Sequence, residues 1–340
     1  MAVDTAVYSP HEYRFGAKRE ADIGTAVTTV DQCNIAEPVT VTTEIVQTLD
    51  MRSGAGRVLR TSDVYTSKEF VKTTVQTSFP IEADQFGTYM ESVTNQADDA
   101  NYNVIIASAW TGPELAWGAT PAAEDASWTL YIASPETNKS RRCHGMFLTS
   151  VVFTADAGSD GGRLIANCTW EGVVAPSTEN DPTLTAYGTT WLTLQDLHGA
   201  DAHLKQITPS GGSAEEVVIS KFELGIVNPT IFVGFNGTNP EVIARGMGNG
   251  LEITLNVDTK VDSETIDFWS DRHDGTDHKI EIFSGATHAA ASFGVEIMHG
   301  ILTGEVNPSS GDYAFFPLQY RATDNGTDDI CVIATATPPE

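Results

Sequence analysis

The chain has 340 residues, with 46 acidic against 19 basic side chains and a formal net charge of −27. Affinity for nucleic-acid phosphate comes from clustered Lys and Arg, so this balance argues against a nucleic-acid-binding surface. The length allows one large or two medium domains, and the 41% hydrophobic share is that of a folded protein. Solubility, a saline habitat, or a surface that must not bind anions would each explain the acidity.

No stretch approaches the roughly 18 apolar residues of a membrane span, and residues 1–20 lack the apolar region of a signal peptide. The sequence therefore predicts neither membrane insertion nor secretion. The four cysteines, Cys33, Cys143, Cys168 and Cys331, form no C-x-x-C pair. Three lie in strand-like runs, so we expect reduced, buried thiols.

The first half predicts a strand followed by a helix. Apolar and polar residues alternate over 71–79, which is the period of a strand with one buried face. After Pro80 the apolar residues recur at i, i+3, i+4 and i+7, which indicates one face of a helix. These residues are Phe86, Tyr89, Met90 and Val93.

The second half repeats this succession. Residues 251–258 alternate Leu, Ile, Leu and Val with polar side chains, which predicts a strand. The following segment, VDSETIDFWSD, predicts a short helix with Ser263 as its N-cap and with Ile266 and Trp269 facing inward.

Five segments recur in the same order in both halves. Thr28–Pro38 is aligned with Ile219–Pro229, Arg57–Arg60 (RVLR) with Val242–Arg245 (VIAR), and Trp128–Ser134 with Lys279–Gly285. The alternating strand with its helix, and a final pair of strands, complete the order. The sequence thus predicts a mainly β fold of two tandem β-sandwich or barrel modules, each with one flanking α-helix.

The predicted division of the chain has four parts: an N-terminal arm (1–27), module 1 (28–178), a connector (179–218) and module 2 (219–340). Module 1 contains a long polar loop at about 46–68 that ends in a strand and would project as an arm.

The usual catalytic and nucleotide-binding motifs are absent from the sequence, so we expect no enzyme activity and no cofactor. Asp271–His278 and His198–His203 are rich in His and Asp, but neither has the spacing of a known metal site, and both are predicted to be loops. The hypothesis of a catalytic carboxylate pair, as in glycosidases, stays open, because no feature of the sequence distinguishes one pair among the many acidic residues. Trp110 and Trp117 are the tryptophans predicted to be exposed.

The N-terminal stretch YRFGAKREADIGTAV resembles the start of tail tube proteins of long-tailed, non-contractile bacteriophages. The arm-like loop MRSGAGRVLR, the strand FVKTTVQTSF and the later strands WTLYIAS and CHGMFLTSVVF are similar to that family too, as is the second half. The N-terminal residues that carry the resemblance are Phe15, Gly16, Glu20, Gly24, Thr25 and Ala26.

The resemblance implies a structural virion protein, assembled in the host cytoplasm, whose sheets join side by side into rings. Stacked rings would form the channel through which DNA passes at ejection. A duplicated subunit implies three chains in each ring, with six as the alternative. The family also implies partners inside the tube (a tape measure protein) and at its ends (terminator and distal tail proteins), and an arm loop that contacts the adjacent ring. The residues assigned to that contact are Met51, Arg52, Arg57 and Arg60.

A second hypothesis is a carbohydrate-binding or adhesive β-sandwich protein, such as a capsid decoration or receptor-binding piece. It would use Trp110 and Trp117 as a platform on which sugar rings stack. A third, a glycoside hydrolase on a β scaffold, has no residues that single out a site.

Overall fold

A computed structural model of the chain describes residues 9, 12–33, 39–49, 64–99, 103–108, 110–156, 158–159, 162–186, 192, 206–209, 215–216, 219–236, 239–246, 250–260, 268–283, 293–305 and 314–335. The fold is mainly β, as predicted, and the described residues contain two α-helices. The helices are α1 (Ala83–Thr94) and α2 (Phe268–Asp274), and Ala123–Asp125 form a 3-10 turn.

The strands follow one another along the chain in three groups. Those of the first half are β1 (Arg14–Arg19), β2 (Thr29–Cys33), β3 (Thr40–Leu49), β4 (Val64–Pro80), β5 (Asn103–Ile106), β6 (Glu114–Ala116), β7 (Trp128–Ala133), β8 (Ser140–Asp156) and β9 (Ile165–Gly172). The middle strands are β10 (Ser177–Glu179), β11 (Thr183–Thr185), β12 (Gln206–Pro209) and β13 (Glu215–Glu216). Those of the second half are β14 (Ile219–Val227), β15 (Thr230–Asn236), β16 (Asn239–Arg245), β17 (Glu252–Lys260), β18 (Asp277–Phe283), β19 (Phe293–Leu302), β20 (Phe315–Ala322) and β21 (Cys331–Thr335).

The main sheet is antiparallel throughout and runs across both halves of the chain. Its strand order is β3-β4-β9-β8-β14-β17-β20-β19. The junction between the halves is the pair β8–β14, in which Val227 faces Ser150 and Lys221 faces Asp156. Residues far apart in the sequence thus form one continuous sheet of eight strands.

Two further sets of strands complete the layers. In the first half the order is β11-β2-β1-β7, followed by the N-terminal part of β8 and then β10. In the second half it is β13-β12-β18-β19-β21-β5. Strands β8 and β19 therefore each belong to the main sheet and to a second set of strands.

The alternation predicted from the sequence is confirmed in the described strands. In β17, Ile253, Leu255 and Val257 are buried and the intervening polar residues are partly exposed. Residues 71–79 of β4 show the same pattern. Burial of one face therefore fixes which residues of these strands point to the core.

Helix α1 supplies the apolar stripe that the sequence predicted. Phe86, Tyr89, Met90 and Val93 are all buried in the main core, and Tyr89 packs 5.2 Å from the Trp128 ring centroid. The helix ends at Asn95, whose backbone is left-handed (φ 54°) and whose N–H bonds to the Glu91 carbonyl.

Helix α2 confirms a helix in the predicted segment of the second half, and the predicted start lies outside the described residues. It begins at Phe268, whose buried ring packs 5.7 Å from the His278 ring. Ser263 and Ile266 lie outside the described residues. Trp269 belongs to the helix.

One hydrophobic core spans the boundary between the halves. It includes Trp170 and Tyr89 from the first half and Leu224, Leu255 and Tyr320 from the second. The predicted connector contributes β11, which pairs in parallel with β2, and β12, which pairs with β18. Strand pairing and burial thus bind both halves into one body.

The order of strand pairing occurs twice. In the first half β4 pairs with β9, β9 with β8 and β8 with β7; in the second, β17 pairs with β20, β20 with β19 and β19 with β18. The sequence alignment of Thr28–Pro38 with Ile219–Pro229 was wrong, because it equated β2 with β14. Strand β14 pairs with β17, and the strand that pairs with β4 in the same way is β3, whereas β2 pairs with β1. Duplication of one module stays a prediction.

Candidate assembly surfaces

Of the N-terminal residues that carry the family resemblance, Phe15, Gly16 and Glu20 are buried, Gly24 and Ala26 are partly buried and Thr25 is exposed. Phe15 is buried 5.8 Å from the Trp170 ring, and a Cβ added at Gly16 would lie 2.6 Å from Val30 Cγ2. Gly24 has a φ of +79°, and a Cβ there would lie 2.2 Å from the Trp117 ring. The stretch is therefore restrained by packing at Phe15, Gly16 and Gly24.

Glu20 is a buried carboxylate that accepts four hydrogen bonds. Its Oε2 accepts from the Gly24 N–H at 2.8 Å and from the Ser127 hydroxyl. Its Oε1 accepts from the Thr129 hydroxyl at 2.6 Å and from the Gly145 N–H at 3.0 Å. This one side chain therefore links the segment after β1 to β7 and to the bend of β8.

Glu20→Gln is expected to lower the free energy of unfolding by about 2 kcal/mol, because the new amide turns donors toward groups that are themselves donors. Urea denaturation at neutral pH measures the loss. Glu114→Ala, at an exposed position of β6, is the control and should change stability by less than about 0.5 kcal/mol. Equal stability of Glu20→Gln and the wild type would contradict the role given to Glu20.

A small separate sheet covers part of the first half. Strands β15 and β16 form a hairpin, here termed the covering hairpin (Thr230–Arg245), and β16 pairs with β6. Beneath it a second apolar cluster gathers Ile23, Leu115, Phe147 and Ile243, with Phe232 packed against it. The hairpin connects β14 to β17, so an excursion from the second half shields a surface of the first.

The opposite face of the covering hairpin carries apolar side chains exposed to solvent. Ile231 is 42% exposed and Val233 is 49% exposed, while Phe232 between them packs inward. Apart from β16, β15 pairs with no strand among the described residues. Exposed apolar side chains beside an unpaired strand edge are typical of a surface that meets another chain.

Trp110 and Trp117 are not the exposed pair that the sequence predicted. Trp117 packs on Gly24 and Gly145, and Trp110 donates its indole N–H to the Thr94 carbonyl at 3.2 Å. Both rings are half-buried. The prediction failed because the glycines leave room for Trp117 to pack against the chain.

The predicted arm residues Met51, Arg52, Arg57 and Arg60 lie outside the described residues. The strands on either side are described: β3 and β4 pair antiparallel as far as Leu49 with Val64. Within the described residues, β3 pairs with no strand other than β4. The outer edge of β3 is therefore unpaired in the part of the chain that the structure describes.

The face of the main sheet turned away from the core is largely polar and nearly balanced in charge, and Val227 and Ile301 are its exposed large apolar residues among those described. Threonine, serine and amide side chains alternate there with ten charged residues in the described part. The acidic ones are Glu44, Asp156, Glu171, Glu223, Glu252 and Asp258, and the basic ones are Lys72, Lys221, Lys260 and Arg321. This face, here termed the open face, thus has an excess of two acids, whereas the chain has an excess of 27.

Ion pairs neutralise much of the open face. Lys72 Nζ lies 3.0 Å from Glu171 Oε1, and Lys221 Nζ lies 3.6 Å from Asp156 Oδ2. Burial raises the pKa of Asp258, which the nearby Lys221 partly offsets. A hollow of about 530 Å³ lies here, lined by Arg163 among others.

The prediction that Asp271–His278 is a loop was wrong, because residues 271–274 belong to α2 and residues 277–278 begin β18. This segment and its surroundings hold two His–Asp contacts. Buried His278 lies 3.1 Å from Asp271, and the ring of His299 lies between Asp277 and Asp328 at 2.5 and 3.1 Å. Among the described residues, no group of His, Cys, Asp or Glu is arranged to hold a metal ion. His198–His203 lies outside the described residues.

His299 is expected to make stability depend on pH. Its hydrogen bond to Asp277, aided by that to Asp328, raises the pKa of His299 above its usual value of about 6.5. The stabilisation is therefore complete below that unfolded-state value and disappears as the pH rises through the higher folded-state pKa. The melting temperature of His299→Gln should thus fall below that of the wild type at acidic pH and approach it at alkaline pH. His273→Gln, at the exposed end of α2, is the control, and a pH-independent difference for His299→Gln would contradict this role.

The cysteine prediction is confirmed, since all four are free and buried. Burial raises the pKa of the Cys143 thiol to about 12. Of the described helices, neither is both long and apolar enough to cross a membrane. No protein-family model matches the chain, and no curated protein matches its sequence.

Proposed function

We propose that the chain is a structural subunit of a virion tail tube, in which rings of copies stack into a channel for DNA. The observation that carries this proposal is the main sheet. It consists of two sets of four strands in matching order, β3-β4-β9-β8 and β14-β17-β20-β19, joined at β8–β14. In this matching, β3 corresponds to β14 and β19 corresponds to β8. The first and last strands of the order are therefore the counterparts of the two strands that pair at the junction between the halves.

The matching ends give a route to ring closure. Strand β14 pairs with residues 150–156 of β8, beyond the part of β8 that pairs with β7. Strand β3 holds the place of β14 at one end of the main sheet, and β19, which pairs with β18 on its other side, holds the place of β8. A second copy placing its β3 beside the residues that follow Leu302 would repeat that junction between chains. Three copies would then close a ring of six similar units, and ring closure leaves no open sheet edge.

The open face is the surface we assign to the channel. Among its described residues, hydroxyl and amide groups alternate with charges, and Lys72 and Lys221 are paired with carboxylates, which leaves them less able to hold phosphate. DNA would pass it without specific binding. The chain would need no cofactor, and its other partners would be the tape measure, terminator and distal tail proteins.

Ring and tube formation by the purified chain is the test. Concentrated protein, at low and at high salt, is expected to give rings or tubes in negative-stain electron microscopy, and native mass spectrometry of single rings is expected to give three chains. Globular monomers at every concentration and salt would overturn the proposal. The half-buried, packed positions of Trp110 and Trp117 count against the carbohydrate-binding alternative, which relied on an exposed pair.

A further inference from the structure

Strand β8 has an irregular register where it reaches the junction with β14. Leu148 faces Trp170 and Ser150 faces Thr169, so Thr149 is left between two paired residues. The Thr149 hydroxyl donates to the Thr169 carbonyl at 3.1 Å. A residue inserted in this way is a β-bulge, which bends the strand and interrupts the ladder at that point.

The chain repeats this feature at the end of β19. Leu302 faces Tyr320, and the next residue, Thr303, donates its hydroxyl to the Gln319 carbonyl at 3.3 Å. Its N–H donates to the same carbonyl at 2.8 Å. In both halves the residues are Leu-Thr, and the Thr binds the carbonyl of the residue that precedes the facing aromatic. Thr303 therefore holds in the second half the place of Thr149 in the first.

The two threonines have different surroundings. Thr149 is 6% exposed, and its carbonyl accepts the backbone N–H of Asn228, the residue that follows β14, at 2.8 Å. Thr303 is exposed. Among the described residues, no strand lies beside Thr303 in the position that β14 and Asn228 take beside β8.

Arg272 of α2 takes that position instead. Its Nε donates to the Gly304 carbonyl at 3.0 Å, and its Nη2 lies 3.5 Å from the Thr303 carbonyl. The Thr303 carbonyl is the counterpart of the Thr149 carbonyl that Asn228 binds. One side chain of the single chain therefore occupies the acceptors that a neighbouring strand would use.

We propose that Arg272 caps this edge in the unassembled chain and is displaced when β3 of a second copy pairs with Thr303 and Gly304. The inference rests on the ring of the proposed function, in which β3 is the counterpart of β14. Residues Thr40–Thr43 of β3 carry no charge, and among the described residues β3 pairs only with β4. An uncharged strand can approach a chain with a net charge of −27 without strong repulsion.

The first half shows how a helix end receives the junction segment. The Asn228 side chain donates to the Val93 carbonyl of α1 at 2.8 Å, and Arg245 donates to the Ser92 carbonyl at 3.3 Å. Helix α2 follows β17 as α1 follows β4. Arg272 lies in the last turn of α2, so the residue that caps the edge lies where the second copy would bind.

A side chain is a suitable cap for an edge that is to be paired later. Charged side chains at sheet edges are one means by which proteins prevent pairing with the wrong strand. Arg272 competes with an incoming strand for two carbonyls, so it lowers the affinity of the edge. Because Arg272 is partly exposed, a strand that supplies several backbone hydrogen bonds at once can replace it.

Arg272→Ala tests the inference. Removal of the cap should lower the concentration at which rings form by about three- to tenfold, since the incoming strand no longer displaces a hydrogen-bonded side chain. Native mass spectrometry across a dilution series measures this concentration. The substitution also removes a positive charge from an acidic chain, which by itself would weaken association, so the charge effect opposes the expected gain.

Arg321→Ala is the matched control, because it removes the same charge from an exposed arginine whose ion pair with Glu252 spans 3.5 Å. Its rings should form at the wild-type concentration or at a higher one. Arg272→Lys keeps the charge with a less suitable donor geometry, and its rings should form between the wild-type and Arg272→Ala concentrations. Thermal melting followed by circular dichroism checks that each variant is folded.

The outcomes separate this inference from the proposed function. Wild-type rings with easier assembly of Arg272→Ala would support the cap. Wild-type rings with unchanged or weaker assembly of Arg272→Ala would overturn the cap and leave the tail tube proposal standing. If the wild-type chain forms no rings, the proposed function fails, and this inference fails with it.

Discussion

Arg245→Ala is expected to lower the free energy of unfolding by about 4 kcal/mol, since it leaves two buried carbonyls unpaired and opens a cavity. Arg245 is 1% exposed and donates to the carbonyls of Ser92 and Leu148 at 3.3 and 2.7 Å. Its guanidinium also lies 5.5 Å from the centroid of the Phe147 ring. One side chain of the second half thus holds the end of α1 and the bend of β8.

The charge of Arg245 is maintained in this site. Burial lowers its pKa to about 9, which Asp125 opposes, so the guanidinium is still protonated at neutral pH. Arg245→Met should recover the part of the loss that comes from the cavity and leave the part that comes from the unpaired carbonyls. The loss that remains in Arg245→Met measures the polar share, and the difference between the two variants measures the cavity share.

Guanidinium chloride denaturation of both variants checks this expectation. Arg321→Ala is the control, because Arg321 is exposed and its ion pair with Glu252 spans 3.5 Å; it should cost less than about 1 kcal/mol. A loss below 1 kcal/mol for Arg245→Ala would mean that the covering hairpin is held by its apolar contacts alone.

Periodicity predicted the regular elements of the fold well. The stripe of α1 and the alternation of β17 depend on neighbours in the sequence, and both faces were assigned correctly. The position of β3 in the sheet could not be predicted in this way. TVDQC in β2 and TVTTE in β3 are both polar and β-branched, and only their pairing partners decide which one lies beside β4.

The contacts that matter most for the proposed site join distant parts of the chain. Glu20 meets Gly145, and Arg245 meets Leu148, through sequence separations that no local pattern encodes. The same holds for His299, whose partners Asp277 and Asp328 lie on either side of β20 in the sequence. The one available signal was the repeat itself, which aligns Arg60 with Arg245.

Reversing the charge of the open face is expected to give the assembly a strong affinity for DNA. In the described part of the open face, the double variant Glu171→Lys/Glu223→Lys changes the count from six acidic and four basic residues to four acidic and six basic residues. Each added lysine can neutralise a phosphate and release its counterion, and copies around a ring would act together. The Lys72–Glu171 pair lost in the variant lies at the surface, so its loss should cost at most about 1 kcal/mol.

Fluorescence anisotropy of a labelled short DNA duplex measures the effect on isolated rings. Binding by the double variant should weaken steeply as salt is added. The logarithm of its binding constant should fall with the logarithm of the salt concentration, with a slope of about −0.9 for each phosphate neutralised. Glu114→Lys/Glu136→Lys has the same net charge and changes residues outside the main sheet, so it should bind DNA no better than the wild type. Equal binding by the two double variants would show that total charge governs contact with DNA, and that the open face is not the lining of the channel.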